Sequence, residues 1–158
     1  MKHIFIVVIM LVAASTAKAN SLFNEIQYPQ HQCLALNIYY EARGSNLADK
    51  AAVADVVLNR VKDTRYPNTV CDVVHDGYKK GRRDCQFSWY CDGKSDNPKD
   101  DYRWAEAQMI AWGMLEWDKY RGITEGATHY HATYVSPRWA KSLHLVGRIG
   151  AHIFYRWE

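Results

Sequence analysis

Glu41 is the residue in this sequence best placed to do acid–base chemistry. It stands in the run Tyr39-Tyr40-Glu41-Ala42-Arg43-Gly44, with Ile38 and Leu34 three and seven positions before it. That spacing puts Leu34, Ile38 and Glu41 on one face of a helix, and the face is otherwise apolar. A carboxylate there faces the interior or a cleft cut into it. Gly44 is expected to end the helix in the left-handed conformation, which leaves Glu41 in the last turn. The macrodipole disfavours negative charge at that end, and Arg43 is expected to compensate it in part. Desolvation and the dipole both push a carboxyl's pKa upward. A carboxylic acid that holds its proton near neutrality is what a glycosidase needs to protonate a leaving oxygen. The plainer reading is a solvated glutamate paired with Arg43, since ion pairs also perturb pKa values.

A competing chemistry lies in His129-Tyr130-His131. On a strand the two histidines share one face, with Tyr130 on the other, and such a pair is a known zinc-ligand geometry. A zinc peptidase or amidase also needs an upstream histidine and a carboxylate. The candidates, His75 and Asp76, are adjacent rather than spread around a cleft. No GxSxG elbow is present. The four cysteines, Cys33, Cys71, Cys85 and Cys91, are better read as two disulfides than as nucleophiles or metal ligands, because no CxxC spacing occurs. Cys85 and Cys91 are close enough to staple a small loop, which would leave Cys33 with Cys71; the other pairings stay open. A third class is a non-catalytic, disulfide-stapled wall- or sugar-binding module. The 11 Tyr and 6 Trp suit either a core or a sugar-binding cleft.

The elements that must position these groups follow from the chain. Met1 to Ala19 has the form of a secretory signal peptide: Lys2 and His3, an apolar run from Ile4 to Ala14, and Ala17-Lys18-Ala19 as the cleavage site. The apolar run is shorter than the roughly 17 residues a stable membrane anchor needs. Export to the periplasm or outside the cell is therefore expected, with no stable membrane insertion. Removing Lys2 and Lys18 lowers the formal charge from +3 to +1, which gives no case for nucleic acid. Residues 20–32 read as a lead-in and residues 33–158 as one domain.

Helical spacing runs from Cys33 to Arg43. Asn46 with Asp49 resembles a capping box opening an amphipathic helix, with Leu47, Ala51, Ala54, Leu58 and Val61 inward. A short helix is expected from Thr69 to Asp76, ended by Gly77. Lys79 to Arg83 is a basic loop, solvated or touching an anionic wall polymer. In the following stretch Gln86 and Ser88 alternate with Phe87 and Trp89, which predicts a strand before the Asp92-Gly93 turn. Asn97-Pro98 is expected to open a long helix through Tyr120. Ala127 to Ala132 reads as extended, and Leu143 to Trp157 as two short strands or one bent one.

Several of these pieces together resemble one family. Tyr40-Glu41-Ala42-Arg43-Gly44, Val57-Leu58-Asn59-Arg60-Val61, Tyr66-Pro67-Asn68-Thr69-Val70-Cys71, Cys85-Gln86-Phe87-Ser88, Cys91-Asp92-Gly93, His129-Tyr130-His131 and Ile149-Gly150-Ala151-His152-Ile153-Phe154-Tyr155 resemble, in order, the cell-wall hydrolase family of the spore cortex-lytic enzyme SleB. The resemblance implies an α+β, lysozyme-like fold of the lytic-transglycosylase type. Such a fold has a mainly helical lobe and a small antiparallel β lobe around a glycan cleft. It also implies that Glu41 is the catalytic acid and peptidoglycan glycan strands are the partner, with no cofactor.

On that basis Glu41 is expected to cleave the β-1,4 bond between N-acetylmuramic acid and N-acetylglucosamine, giving a 1,6-anhydro product. A hydrolytic muramidase, which would need a second carboxylate such as Asp92 or Asp84, is the alternative. Gln86, Ser88, Tyr40, Tyr130 and His131 are the expected substrate-binding residues. One of Tyr39 and Tyr40 should be core and the other cleft. A monomer is expected.

Overall fold

The computed structural model describes residues 28–79 and 85–158. The signal segment 1–19, residues 20–27 of the lead-in, most of the basic loop and Asp84 lie outside the described residues. Among the described residues the elements are α1 (Pro29–Ala42), α2 (Leu47–Lys62), α3 (Val70–Val74), a 3-10 turn (Ser88–Cys91) and α4 (Asp101–Glu116). Strand β1 (His129–Ala132), a second 3-10 turn (Arg138–Ser142), β2 (His144–Ile149) and β3 (His152–Arg156) follow. The strands form one antiparallel sheet in the order β1-β3-β2. No described helix is long and apolar enough to cross a membrane.

The molecule is built around α2. Its residues from Asp49 to Leu58 are all buried, so it is the central helix and not the one-sided helix that its apolar spacing suggests. Ala51, Ala52 and Ala54 have no exposed surface, and their small size lets neighbours approach on every side. One face joins Leu34, Ile38, Val73, Val74, Ala111 and Met114 in the helical core. The other face, through Ala52 and Val56, meets Phe154 and Ala127 under the sheet. Asn46 caps α2 as expected, its side chain accepting from the Asp49 amide.

Four local expectations need correction. Helix α1 starts at Pro29, inside the expected lead-in, because proline suits the first helical turn. Gly44 is not left-handed; the only described glycines with positive φ are Gly77, Gly93, Gly122, Gly126, Gly147 and Gly150. The helix instead closes with the Ser45 amide donating to the Ala42 carbonyl, directly before the Asn46 cap. The strand expected at Gln86–Trp89 is a 3-10 turn entered from an extended Phe87. Phe87 and Trp89 are buried while Gln86 and Ser88 are exposed, so the alternation of polarity is real but comes from a stapled turn. Finally, α4 is capped by Asp100, not Asn97, and stops at Glu116 because Asp118 and Tyr120 adopt left-handed backbone.

The cysteines pair as Cys33–Cys71 and Cys85–Cys91. The first ties α1 to the start of α3, and the second closes the loop that carries the 3-10 turn. Across a separation of 38 residues, a cross-link of the first kind stabilises by about 4 kcal/mol in the loop-entropy model.

Candidate active site

Glu41 sits in the last turn of α1, where the helix end meets the inner face of the sheet. Its Oε2 accepts a hydrogen bond of 3.0 Å from the Tyr130 hydroxyl on β1. Burial pushes the Glu41 carboxyl above its ordinary range, against the opposing influence of the Tyr130 hydrogen bond and the His152 and Arg60 charges. Tyr130 is itself held well above the usual tyrosine value, first by burial and then by the Glu41 charge. It therefore stays protonated and serves Glu41 as a donor.

The cations near Glu41 are not the one expected. The Arg43 guanidinium lies over the Tyr39 ring at 5.2 Å and the Tyr40 ring at 6.0 Å, facing the groove. His152 and then Arg60 supply the charge. Arg60 comes from the last turn of α2 and is 6% exposed. Its Nε donates to the Thr128 carbonyl at 2.8 Å, and its guanidinium lies 5.2 Å from the Tyr66 ring and 5.4 Å from the Phe87 ring.

The β lobe is fastened to α2 by a row of buried polar groups. Asp49 Oδ1 accepts from His152 Nδ1 at 2.8 Å and Oδ2 from the Ala151 amide at 3.1 Å. Burial pushes the Asp49 carboxyl up, but hydrogen bonds from His152, Ser45 and Ala151, with the His152 charge, together hold it below the ordinary value. Asp55 accepts from the Gly122 and Thr124 amides and the Thr124 hydroxyl, and pairs with Arg121. Asn59 donates to the Thr124 hydroxyl and the Ala127 carbonyl. Together Asp55, Asn59 and Arg60 hold the loop that delivers β1, and so set where Tyr130 meets Glu41. The His152 ring completes the wall, 5.2 Å from the Tyr130 ring and edge-on to it.

A groove of about 500 Å3 is lined by Tyr40 and Arg43, the sequence neighbours of Glu41, and by Trp89, Ser95, Asp96 and Asn97 among others, but not by Glu41 itself. Tyr40 stacks on Trp89 with centroids 4.8 Å apart, and Trp89 is fixed by its Nε1 donating to the buried Asn37. Tyr39 is the core member of the tyrosine pair, its hydroxyl accepting from the Lys99 and Asp100 amides. The rest of the expected set divides. Tyr130 reaches Glu41 and Tyr40 lines the groove. Gln86 and Ser88 are exposed on the stapled loop and do not line it.

His131 faces away from Tyr130, with Nδ1 bonded to the Ala132 carbonyl and Nε2 to the Tyr155 hydroxyl. His129, on that same outer face against Trp139, has its Nδ1 on the Thr128 hydroxyl. Its pKa is pulled down to about 4, first by burial and then by Arg60 and Arg65. His75 stacks on Tyr90. With both His131 nitrogens engaged, the pair is not a ligand set, and no group of three or more metal-ligating side chains occurs among the described residues. Asp92 is a turn residue, accepting from the Lys94 amide. Arg60, Asp49 and His152 were not among the expected site residues, Asp49 being read only as part of the Asn46 capping box. Their signal was a charged residue inside an Ala/Val-rich helix and a histidine in an apolar strand.

A family model described as cell wall hydrolase matches residues 44–155, beginning just after Glu41. The catalytic domain of the germination-specific lytic transglycosylase SleB from Bacillus anthracis superposes with a TM-score of 0.59 and 26% identity, covering 82% of this chain and 95% of that one. The SleB catalytic domain from Bacillus cereus gives a TM-score of 0.58 at 27% identity, covering 80% and 89%. No curated protein matches.

Proposed function

The chain belongs to the cell wall hydrolase family, and from that premise we propose that it is a peptidoglycan lytic transglycosylase with Glu41 as general acid and then base. The observation that carries this reading is the Glu41 carboxyl itself: its pKa is raised by burial, and it meets the neutral Tyr130 hydroxyl at 3.0 Å. The Bacillus anthracis relative, described as a germination-specific lytic transglycosylase, supports the reaction class.

The protonated Glu41 gives its proton to the glycosidic oxygen between N-acetylmuramic acid and N-acetylglucosamine as the C1–O bond breaks. The resulting carboxylate, held by the Tyr130 hydroxyl, takes the proton from the muramic C6 hydroxyl. O6 then bonds C1 to give the 1,6-anhydro sugar, and Glu41 is again protonated without consuming water. The substrate supplies the nucleophile, so a partner carboxylate is not required. This suits Asp49, whose oxygens are already engaged by His152 and Ala151. Tyr40, with the Trp89 behind it, offers an aromatic wall for the sugar strand. The mature enzyme is residues 20–158, exported as a monomer to the periplasm or beyond.

The test is mass spectrometry of purified peptidoglycan digested with the disulfide-bonded mature chain, alongside Glu41→Gln. Anhydro-muropeptides, lighter by one water than hydrolytic products, are the expected outcome, and their absence from the Glu41→Gln digest completes it. Reducing ends would establish hydrolysis instead. Free stem peptides with intact glycan would overturn the glycosidase reading.

A further inference from the structure

We propose that Arg60 is a positioning residue of this site: its buried charge stabilises the carboxylate that appears when Glu41 releases its proton. The inference rests on the acid–base role of Glu41 proposed above. A buried guanidinium is costly to desolvate and is normally matched by a carboxylate. Arg60 is not: among the described residues it forms no ion pair with an acid, and one of its terminal nitrogens has no hydrogen-bond partner. Its Nε bond to Thr128 and its stacking between Tyr66 and Phe87 account for its shape. Neither contact is an ion pair, and the unpartnered terminal nitrogen is left over.

The geometry supplies one. Arg60 holds the Thr128 carbonyl just before β1, and Tyr130, two residues on, holds Glu41. The cation and the acid are thus fastened two residues apart on one short segment. Glu41 faces Tyr130 from β1, His152 from β3 and Arg60 from α2; Arg60 in turn faces Tyr66, Asp76, Tyr130 and His129. Of these partners only Glu41 changes charge as the proposed bond cleavage proceeds. While Glu41 is protonated, the acid acting on the Arg60 charge is Asp76, with which it forms no ion pair among the described residues. When the proton leaves, a second negative charge acts on Arg60 in a low-dielectric site, where such attraction is worth most. Burial raises the acid's pKa, and Arg60 keeps it strong enough to give the proton up.

The experiment compares Arg60→Gln, which removes the charge but keeps a donor for Thr128, with Arg60→Lys, which keeps the charge. Arg60→Met serves as the charge-free variant should Arg60→Gln not fold, as judged by circular dichroism. Two quantities are read: the pH dependence of kcat on soluble glycan strands, and the Glu41 side-chain titration by carbon-13 NMR.

Activity requires protonated Glu41, so it falls as pH rises through the Glu41 pKa. Removing the cation raises that pKa. The basic limb of the profile and the NMR midpoint should both move up by about one pH unit. The kcat should fall roughly tenfold with KM unchanged, and Arg60→Lys should restore limb and midpoint to the wild-type position. A charge-free variant that folds and loses activity with limb and midpoint unmoved would reduce Arg60 to a strut for Thr128 and overturn the proposal. The NMR arm separates the two readings. An unmoved midpoint counts against Arg60 alone, whereas an active Glu41→Gln counts against the catalytic assignment.

Discussion

The last turn of α1 and the first turn of α2 lie five residues apart, and each carries a shielded carboxylate. Glu41 and Asp49 even share a neighbour, His152. Yet burial wins at Glu41 and loses at Asp49. The difference is the supply of donors. Asp49 is at a helix N-terminus, where the dipole favours negative charge, and accepts from His152 and the Ala151 amide. Glu41 is at a helix C-terminus and accepts one hydrogen bond, from a neutral phenol. The same residue chemistry thus gives an anchor at one helix end and a proton store at the other. An anchor must always be ionised, while a general acid must be able to be either.

The largest test of that contrast is loss of function. Glu41→Gln removes the exchangeable proton without changing shape, and should lower activity by about 10³-fold while leaving the far-ultraviolet circular dichroism intact. Near-wild-type turnover would remove the contrast altogether. Asp49→Asn should do the reverse. Breaking a buried pair with His152 costs about 3 kcal/mol, seen as a lower midpoint in urea, and activity should fall only in proportion to the unfolded fraction.

Next in size is Gly150→Ala. Gly150 turns the β2–β3 hairpin with φ of 57°, and an added Cβ would lie 2.6 Å from the Cβ of Asp49. Overpacking of this kind costs about 2 kcal/mol, to which the left-handed backbone adds. If thermal unfolding of Gly150→Ala matched wild type, the hairpin tip would not be pressed onto α2 as described.

Much of the fold was legible because it follows from local rules. The Asn46 cap, the inward spacing of α1 and the extended segments around Tyr130 each follow from a few adjacent residues. The position of Glu41 was legible for the same reason, since helical periodicity alone puts it on the Leu34–Ile38 face. What surrounds it was not. Arg43, two residues on in sequence, turned out to face the groove, while the charges acting on Glu41, those of His152 and Arg60, arrive from β3 and α2. Residue type favours Tyr130 over His131 as the one to meet sugar, but which face of β1 meets α1 is a long-range matter that the residues around them do not carry. The Gln86–Trp89 alternation was read as a strand because period two is the strand signal; a disulfide-closed turn produces the same polarity pattern without a ladder.

The smallest effect is the most diagnostic of the contrast, because it has opposite sign at the two carboxylates. The Glu41 pKa is higher in the folded chain than in the unfolded one. Its contribution to stability is therefore fully present below the unfolded value, near pH 4.5, and is lost as pH rises through the folded value. Above the folded value the ionised, buried Glu41 is a burden, and Glu41→Gln should there be slightly more stable than wild type, with the gain vanishing as pH falls toward the unfolded value. For Asp49 the folded pKa is the lower one. Its contribution is present above the unfolded value, near 3.8, and disappears as pH falls through the folded value, so the cost of Asp49→Asn should shrink in acid. Urea midpoints for both variants between pH 3 and pH 8 should converge on wild type at the acid end from opposite sides. Two curves lying on the same side would mean that Glu41, like Asp49, is an anchor, and the search for the proton donor would have to begin again in the groove beside Tyr40.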